Sequence, residues 1–265
     1  MILNLFRRVS ANIAAERSFA GPPAKRLYAV GDIHGRLDLL DDLLSRVEDD
    51  IHDRPVETAA IVFLGDLIDR GPDSAGVIAR LANLQHFPAK TLFLLGNHEE
   101  ILLRVLAGEP GLAYDWLGFG GDACAESYGV NAAALQAMDE QRIAQVLGDA
   151  IPTAHVEFLK GFGDTFRFGD YLLVHAGIRP GVPIEQQQPH DLRWIRKPFL
   201  TDAHDHGVMV VHGHTISDGV ERRVNRIGID TGAYRTGVLT AAVIEEADLR
   251  FLATGAAPEL ASEGR

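Results

Sequence analysis

The 265-residue sequence predicts an α/β fold whose strands deliver polar residues to one shared site, and three features carry that prediction. Short apolar runs alternate with amphipathic helical stretches over the first hundred residues. The runs are continuous enough to be strands covered on both faces. Each run then ends in a polar turn marked by glycine.

Taken in order, "LYAV" leads into Gly31-Asp32, "AIVFL" into Gly65-Asp66 and "TLFLL" into Gly96-Asn97. Between the first two, Leu37, Leu40, Leu44 and Val47 form one helical stripe; between the next two, Val77, Ile78, Leu81 and Leu84 form another. Strand, helix, strand order implies parallel pairing with right-handed crossovers. All three polar tails then reach the carboxyl edge of a sheet, where open α/β sheets bind ligands. "YLLV" before His175-Ala176-Gly177 and "VMVV" before His212-Gly213-His214 end in the same manner.

From about 101 to 160 the sequence turns Ala-rich and helical, broken by "GFGGD" and "SYGVN", and reads as an insertion that walls or covers the site. The stretch "NRIGIDTGAYRTGVLTAAVIEE" alternates apolar segments with glycine turns and is expected to close a second sheet as a hairpin. Residues 253–265 have the composition of a disordered tail. Residues 1–26 are expected to form a flexible basic arm ended by Gly21-Pro22-Pro23. One domain, 27–252, remains between them.

Composition narrows the function. Net charge is -12, and because residues 1–26 carry +4, the remainder carries -16. So acidic a body repels a nucleic-acid backbone, which excludes nucleic acid as a partner. A small phosphorylated group held by local cations stays compatible. Cys124 is the only cysteine, so no intrachain disulfide forms and a reducing cytoplasm is the expected location. The thiol has no activating pattern beside it and is expected to be a small buried or half-buried side chain. No apolar run approaches the roughly 18 residues that span a bilayer, so stable membrane insertion is not expected.

The polar tails bring together Asp32 and His34 from "GDIHG", Asp66, Asp69 and Arg70 from "GDLIDRG", and Asn97 and His98 from "GNHEE". His175 and His214 come from "HAG" and "HGHT". This oxygen and nitrogen donor set suits manganese, iron or zinc. His212 lies two residues before His214 and would share its face on a strand, so it is an alternative ligand or an outer support. "DAHDH", Asp202 to His206, follows no apolar strand and reads as a solvated loop.

The ordered set GDIHG, GDLIDRGP, GNHE, HAG and GHT, spanning Leu27 to about Ile244, resembles the calcineurin-like metallophosphatases. Within them it is similar to the phosphoprotein phosphatase branch and its bacterial and phage lambda-phosphatase-like members. The resemblance implies a two-sheet β-sandwich flanked by helices, with two divalent metal ions at the sheet ends, manganese foremost and iron or zinc otherwise. It places Asp32 and His34 on the first metal, Asp66 as the bridge, and Asn97, His175 and His214 on the second. It makes His98 the catalytic imidazole, paired with Asp69, and Arg70 a phosphate-binding arginine. Arg196, which follows Trp194 in "DLRWIRKPFL", would be the second such arginine.

The residue types suit that chemistry. Two metals about 3.5–4 Å apart can share a hydroxide and stabilise both oxygens of an in-line displacement. Guanidinium forks match phosphoryl oxygens, and an imidazole steadied by a carboxylate can protonate a leaving alkoxide. Glu99 and Glu100, in the first turn of the helix "HEEILLRVLAG", are expected to complement its positive end.

The implied substrate is phosphoserine or phosphothreonine in a protein or peptide, with phosphotyrosine as an extension. Ile216 stands where diesterase-type relatives carry a further histidine ligand. Glu99 and Thr215 depart from the GNHD and GHW of diadenosine tetraphosphate hydrolases. The alternatives are a symmetrical bis(5'-nucleosyl)-tetraphosphatase or other small-molecule phosphoesterase and, outside enzymes, a metal-dependent binding module. A mere binder needs no Asp69–His98 pair.

Overall fold

The structure, a computed structural model, describes residues 18–255. Its first half runs β1 (Lys25–Val30), α1 (Leu37–Asp53), β2 (Thr58–Phe63), α2 (Ser74–Ala82), β3 (Lys90–Phe93) and α3 (Asn97–Leu106). A helical stretch follows: α4 (Ala113–Trp116), a π-helical turn (Leu117–Gly121), α5 (Asp122–Ser127), α6 (Ala132–Leu135), α7 (Glu140–Ala150) and α8 (Thr153–Lys160). The second half carries β4 (Thr165–Phe168), β5 (Tyr171–Val174), α9 (Pro189–Trp194), β6 (Met209–His212), β7 (Glu221–Arg222) and β8 (Arg226–Gly228). It closes with α10 (Ala233–Thr236), β9 (Thr240–Glu245) and β10 (Asp248–Ala253).

Two mixed sheets result, in the orders β10-β9-β1-β2-β3 and β4-β5-β6-β8-β7. β1, β2 and β3 are parallel neighbours, as are β5, β6 and β8. Side chains alternate across each strand, and the alternation sorts the core. Leu27, Ala29, Val62 and Leu64 meet Leu173, Val211 and Ile227 between the sheets. Their neighbours Tyr28, Val30, Ile61 and Phe63 face the helical layer built from α1 to α8. On the far side, Leu172, Val174 and Val210 pack under Leu192, Ile195 and Phe199. Every apolar run therefore needs both faces apolar, and the architecture is helix, sheet, sheet, helix. This is the two-sheet α/β sandwich flanked by helices that the motifs imply.

The tail differs from expectation. β9 and β10 do form a hairpin, but it extends the first sheet beside β1, in antiparallel register with Tyr28 opposite Val243. The reason lies in "TAAVIE": Ala241 and Val243 pack towards the helices while Ala242 and Ile244 face the other sheet, which suits an inner strand. The second sheet instead takes β8.

Arg26, counted with the basic arm, is 2% exposed within β1 and pairs with Glu245 at 2.8 Å and Asp50 at 3.2 Å. β10 passes Leu252, and Thr254 Oγ1 accepts the Leu239 N–H at 2.9 Å. Residues 1–17 of the expected arm and 256–265 of the expected tail lie outside the described residues. Among the described residues no helix is long and apolar enough to cross a membrane.

Candidate active site

Parallel strands leave their carboxyl ends on one side, and both sheets do so towards the same place. The loops after β2 and β3 interlock through Glu99, which is fully buried. Its carboxylate accepts the backbone N–H of Leu67 at 2.7 Å, Asp66 at 2.9 Å, Gly96 at 3.0 Å and Ile68 at 3.3 Å. The expected role at the α3 dipole is thus too small: Glu99 fastens one strand-end loop to the next. Burial and the Asp66 charge push its carboxyl up to about 7. Gly96 permits this approach, since a Cβ there would lie 2.3 Å from Asp66 Oδ1 and 2.6 Å from Glu99 Oε2. Glu100 reaches the other way and accepts from Trp194 Nε1 at 3.0 Å.

Asp66 stands at the centre. Its Oδ1 lies 3.3 Å from His175 Nε2, and its Oδ2 lies 3.6 Å from His34 Nε2 and 3.8 Å from His98 Nε2. Ligand atoms of His34, Asp66 and His98 fall within 4.8 Å of one another, as do those of Asp66, His175 and His214. Asn97 Oδ1 is 3.1 Å from His175 Nε2. Asp32 stands apart from the first compact group, because both its oxygens accept the His214 backbone N–H, at 3.0 and 3.2 Å.

Two imidazoles have fixed orientations. His34 Nδ1 meets Ile68 O at 2.8 Å and His175 Nδ1 meets Leu64 O at 2.9 Å. A carbonyl accepts only, so Nδ1 carries the proton, and in the neutral ring Nε2 offers a lone pair, the orientation that metal-binding histidines take. Burial pushes His34 down to about 3. Burial alone would raise Asp66, yet the imidazoles of His175 and His98 hold it well below the usual carboxylate range. Asp32 is raised by burial and by the charges of Asp230 and Asp66.

His98 Nδ1 lies 2.6 Å from Asp69 Oδ2, and Trp116 Nε1, from the helical stretch, donates to the same oxygen at 3.2 Å. Arg70 spreads between two rings, with Nη1 2.7 Å from His34 Nε2 and Nη2 2.9 Å from His98 Nε2. Its guanidinium also lies 5.0 Å from the centroid of the Tyr234 ring. The Arg70 N–H donates to Gly120 O at 2.9 Å. Only glycine fits at 120, where φ is +106° and a Cβ would meet Arg70 N at 2.8 Å.

Arg196 is exposed and donates to His214 O at 3.3 Å. His212 leaves the site altogether and packs edge-on against Phe199 at 5.2 Å. The shared-face rule fails because His214 has φ +62°, which breaks the strand alternation. The described "DAHDH" loop joins no compact donor group. Cys124 is buried, as expected of it.

The backbone is left-handed at seven described non-glycine residues, and five of them are His34, Asp66, Asp69, Arg70 and His214. Such strain gathers where a site over-determines its backbone.

The donor chemistry fits divalent cations. In its neutral form His175 presents an Nε2 lone pair to Asp66 Oδ1 and Asn97 Oδ1, while the His34 Nε2 lone pair is met by Arg70. His214 Nε2, buried, has no hydrogen-bond partner. Lone pairs facing lone pairs are satisfied by a shared cation. Among the described residues the groups that could hold such ions are His34, Asp66 and His98 on one side and Asp66, His175 and His214 on the other.

Comparison with known proteins agrees. Residues 25–236 match the family "Calcineurin-like phosphoesterase". The chain is 27% identical over 223 residues to serine/threonine-protein phosphatase 2 of Escherichia coli (strain K12), covering 82% of this chain and 91% of that one. It is 29% identical over 231 residues to the asymmetrical bis(5'-nucleosyl)-tetraphosphatase of Bacillus subtilis (strain 168), covering 80% and 87%. A symmetrical bis(5'-nucleosyl)-tetraphosphatase of Legionella pneumophila (strain Lens) is 38% identical over 89 residues, 33% of this chain and 29% of that protein. In fold, a cold-active protein-tyrosine phosphatase of a Shewanella species superposes with a TM-score of 0.54 at 17% identity, covering 87% of this chain and 80% of that one. With the match running through the strands that meet at Asp66, the chain belongs to the calcineurin-like phosphoesterase family and is a metal-binding phosphoester hydrolase.

Proposed function

We propose that this chain is a phosphomonoesterase acting on phosphoserine and phosphothreonine in proteins, with phosphotyrosine as a further substrate. The observation that carries the reading is the buried His98–Asp69 pair beside Arg70. An alkoxide leaving from serine or threonine needs a proton. A nucleoside diphosphate leaving from a dinucleoside tetraphosphate is already stabilised and needs none.

Asp32, His34 and Asp66 would hold one divalent ion, and Asp66, Asn97, His175 and His214 the other; manganese heads the choices, before iron and zinc. Such ions supply Lewis-acid charge at phosphoryl oxygens and a water made nucleophilic near neutral pH. Arg70 binds the phosphoryl group as a planar fork. When it turns to the phosphate it frees His98 Nε2, which takes up a proton from water; against burial, the charges of Asp66 and Asp69 favour the imidazolium. Asp69 holds Nδ1–H, and Trp116 holds Asp69. The proton passes from His98 Nε2 to the departing oxygen. Arg196, close to His214 O, is positioned to contact the far side of the substrate.

A second reading, dinucleoside polyphosphate hydrolysis, is favoured by the similarity to the Bacillus subtilis tetraphosphatase. The deciding experiment compares kcat/KM for a phosphoserine peptide, a phosphothreonine peptide, diadenosine tetraphosphate and a bis-aryl phosphodiester, with Mn²⁺ supplied to metal-free protein. The peptides are expected to lead. A preference for diadenosine tetraphosphate would move the assignment to the second reading.

A further inference from the structure

Asp230 is 1% exposed, and none of the roles above uses it. It follows β8, whose carboxyl end lies beside that of β6. Ile229 N–H donates to His212 O at 2.9 Å and Ser217 N–H to Asp230 O at 3.0 Å. The end of β1 is as close: a Cβ on Gly31 would lie 2.6 Å from Ile229 O and 3.6 Å from the Asp230 Cα. Asp230 therefore sits between the strand ends that carry Asp32 and His214.

Its two oxygens have different surroundings. Oδ1 accepts the Gly232 N–H at 2.9 Å, an ordinary turn contact. Oδ2 is buried with no hydrogen-bond partner. A turn explains the first oxygen and leaves the second unexplained. After burial and the Gly232 hydrogen bond, what acts on the carboxyl are the charges of Asp66, His175 and Arg70, and Asp230 is in turn the foremost charged neighbour of Asp32. Asp32, Asp66 and Asp230 are all buried, each just past the end of its strand, β1, β2 and β8. Across from Asp230, Ile216 brings only carbon, its Cγ2 3.0 Å from where a Cβ on Gly232 would lie.

We infer that Asp230 is a further carboxylate of the metal centre, serving through its free Oδ2 the ion that Asp32 and His34 would hold. The inference rests on the proposed two-ion site. With Ile216 offering no donor, the first ion otherwise has Asp32, His34 and Asp66 alone. Asp230 adds the charge and the acceptor that this side lacks, directly or through a water on the ion.

Asp230→Asn keeps an acceptor for the Gly232 N–H, and Asp230→Ser also removes the amide as a substitute ligand. Titration calorimetry with Mn²⁺ on metal-free protein is expected to show two ions bound by the wild type. In both variants one of them weakens about 10- to 100-fold, the usual worth of such a partner. Melting in chelator separates this from a structural role: with one buried like charge removed, Asp230→Asn melts no lower than the wild type. Unchanged affinity for both ions in both variants overturns the inference alone. Lower melting of metal-free Asp230→Asn with unchanged affinities makes Asp230 a turn residue and overturns it too. A wild type that binds no Mn²⁺ overturns the two-ion site and this inference together.

Discussion

The loops after β1, β2 and β3 hold their functional side chains with the protein's own hydrogen bonds, whereas the ends of β5, β6 and β8 leave theirs partly unmatched. In the first region Glu99 binds four backbone N–H groups, Ile68 O fixes His34, and Asp69 is held by Ser74 Oγ through its N–H and by Trp116 at its carboxylate. In the second region His214 Nε2, Thr215 Oγ1 and Asp230 Oδ2 are buried without partners. The first region is fastened mainly by its own hydrogen bonds, with Asp69 Oδ1 its unpartnered buried atom; the second leaves more such atoms and is shaped for something bound. Where polar atoms satisfy one another, substitution should unfold or misalign. Where they do not, substitution should change binding and spare the fold.

The largest effect is expected at Asp66, which belongs to both regions. Asp66→Asn should abolish hydrolysis and release both ions together, as measured by elemental analysis of purified protein. Loss of one ion alone would break the comparison at its centre.

His98→Asn comes next, with a loss of about 10²–10⁴ in kcat on a phosphoserine peptide, the usual worth of a general acid. Para-nitrophenyl phosphate, whose phenolate leaves readily, should lose far less, with metal content unchanged. Equal losses on the two esters would put His98 on the phosphoryl group or the nucleophile instead.

Glu99→Gln tests the first region as structure. An amide oxygen accepts fewer of the four N–H groups, and its NH₂ opposes the rest, so metal-free protein should lose about 3 kcal/mol in urea unfolding. A variant as stable as the wild type would mean that the loops hold without this clamp.

The smallest effect has the opposite sign. Thr215→Val removes a buried hydroxyl with no partner and should leave metal-free stability unchanged or raise it by about 1 kcal/mol. A marked loss would reveal a bond that satisfies Thr215, and the contrast between the regions would weaken.

These regions also differed in how plainly the sequence announced them. The order β1-α1-β2-α2-β3 was readable because period and spacing are local properties, and the polar tails named residues that do meet in space. Which sheet takes β9 is not local: "TAAVIE" tells that both faces are buried, not between which neighbours. The role of Glu99 depends on the loop after β2 passing over the start of α3, so its sequence neighbours suggest only a dipole. His212, open between ligand and outer support, joins no compact donor group, because alternation holds only while the strand lasts, and β6 ends there. Asp230 had a signal that was passed over. "IGID" is one more apolar run closing on a carboxylate, followed by the same kind of glycine turn.

The left-handed backbone at His34, Asp66, Asp69, Arg70 and His214 has a consequence for how such a sequence drifts. Each of these conformations costs of order 1–3 kcal/mol for a residue with a side chain, and glycine would adopt it almost freely. At those positions, then, the changes that ease folding are the ones that remove chemistry. A library of this chain selected for heat resistance alone should accumulate glycine there and lose hydrolysis. A second library selected for hydrolysis as well as heat resistance should keep the two histidines, two aspartates and the arginine in place.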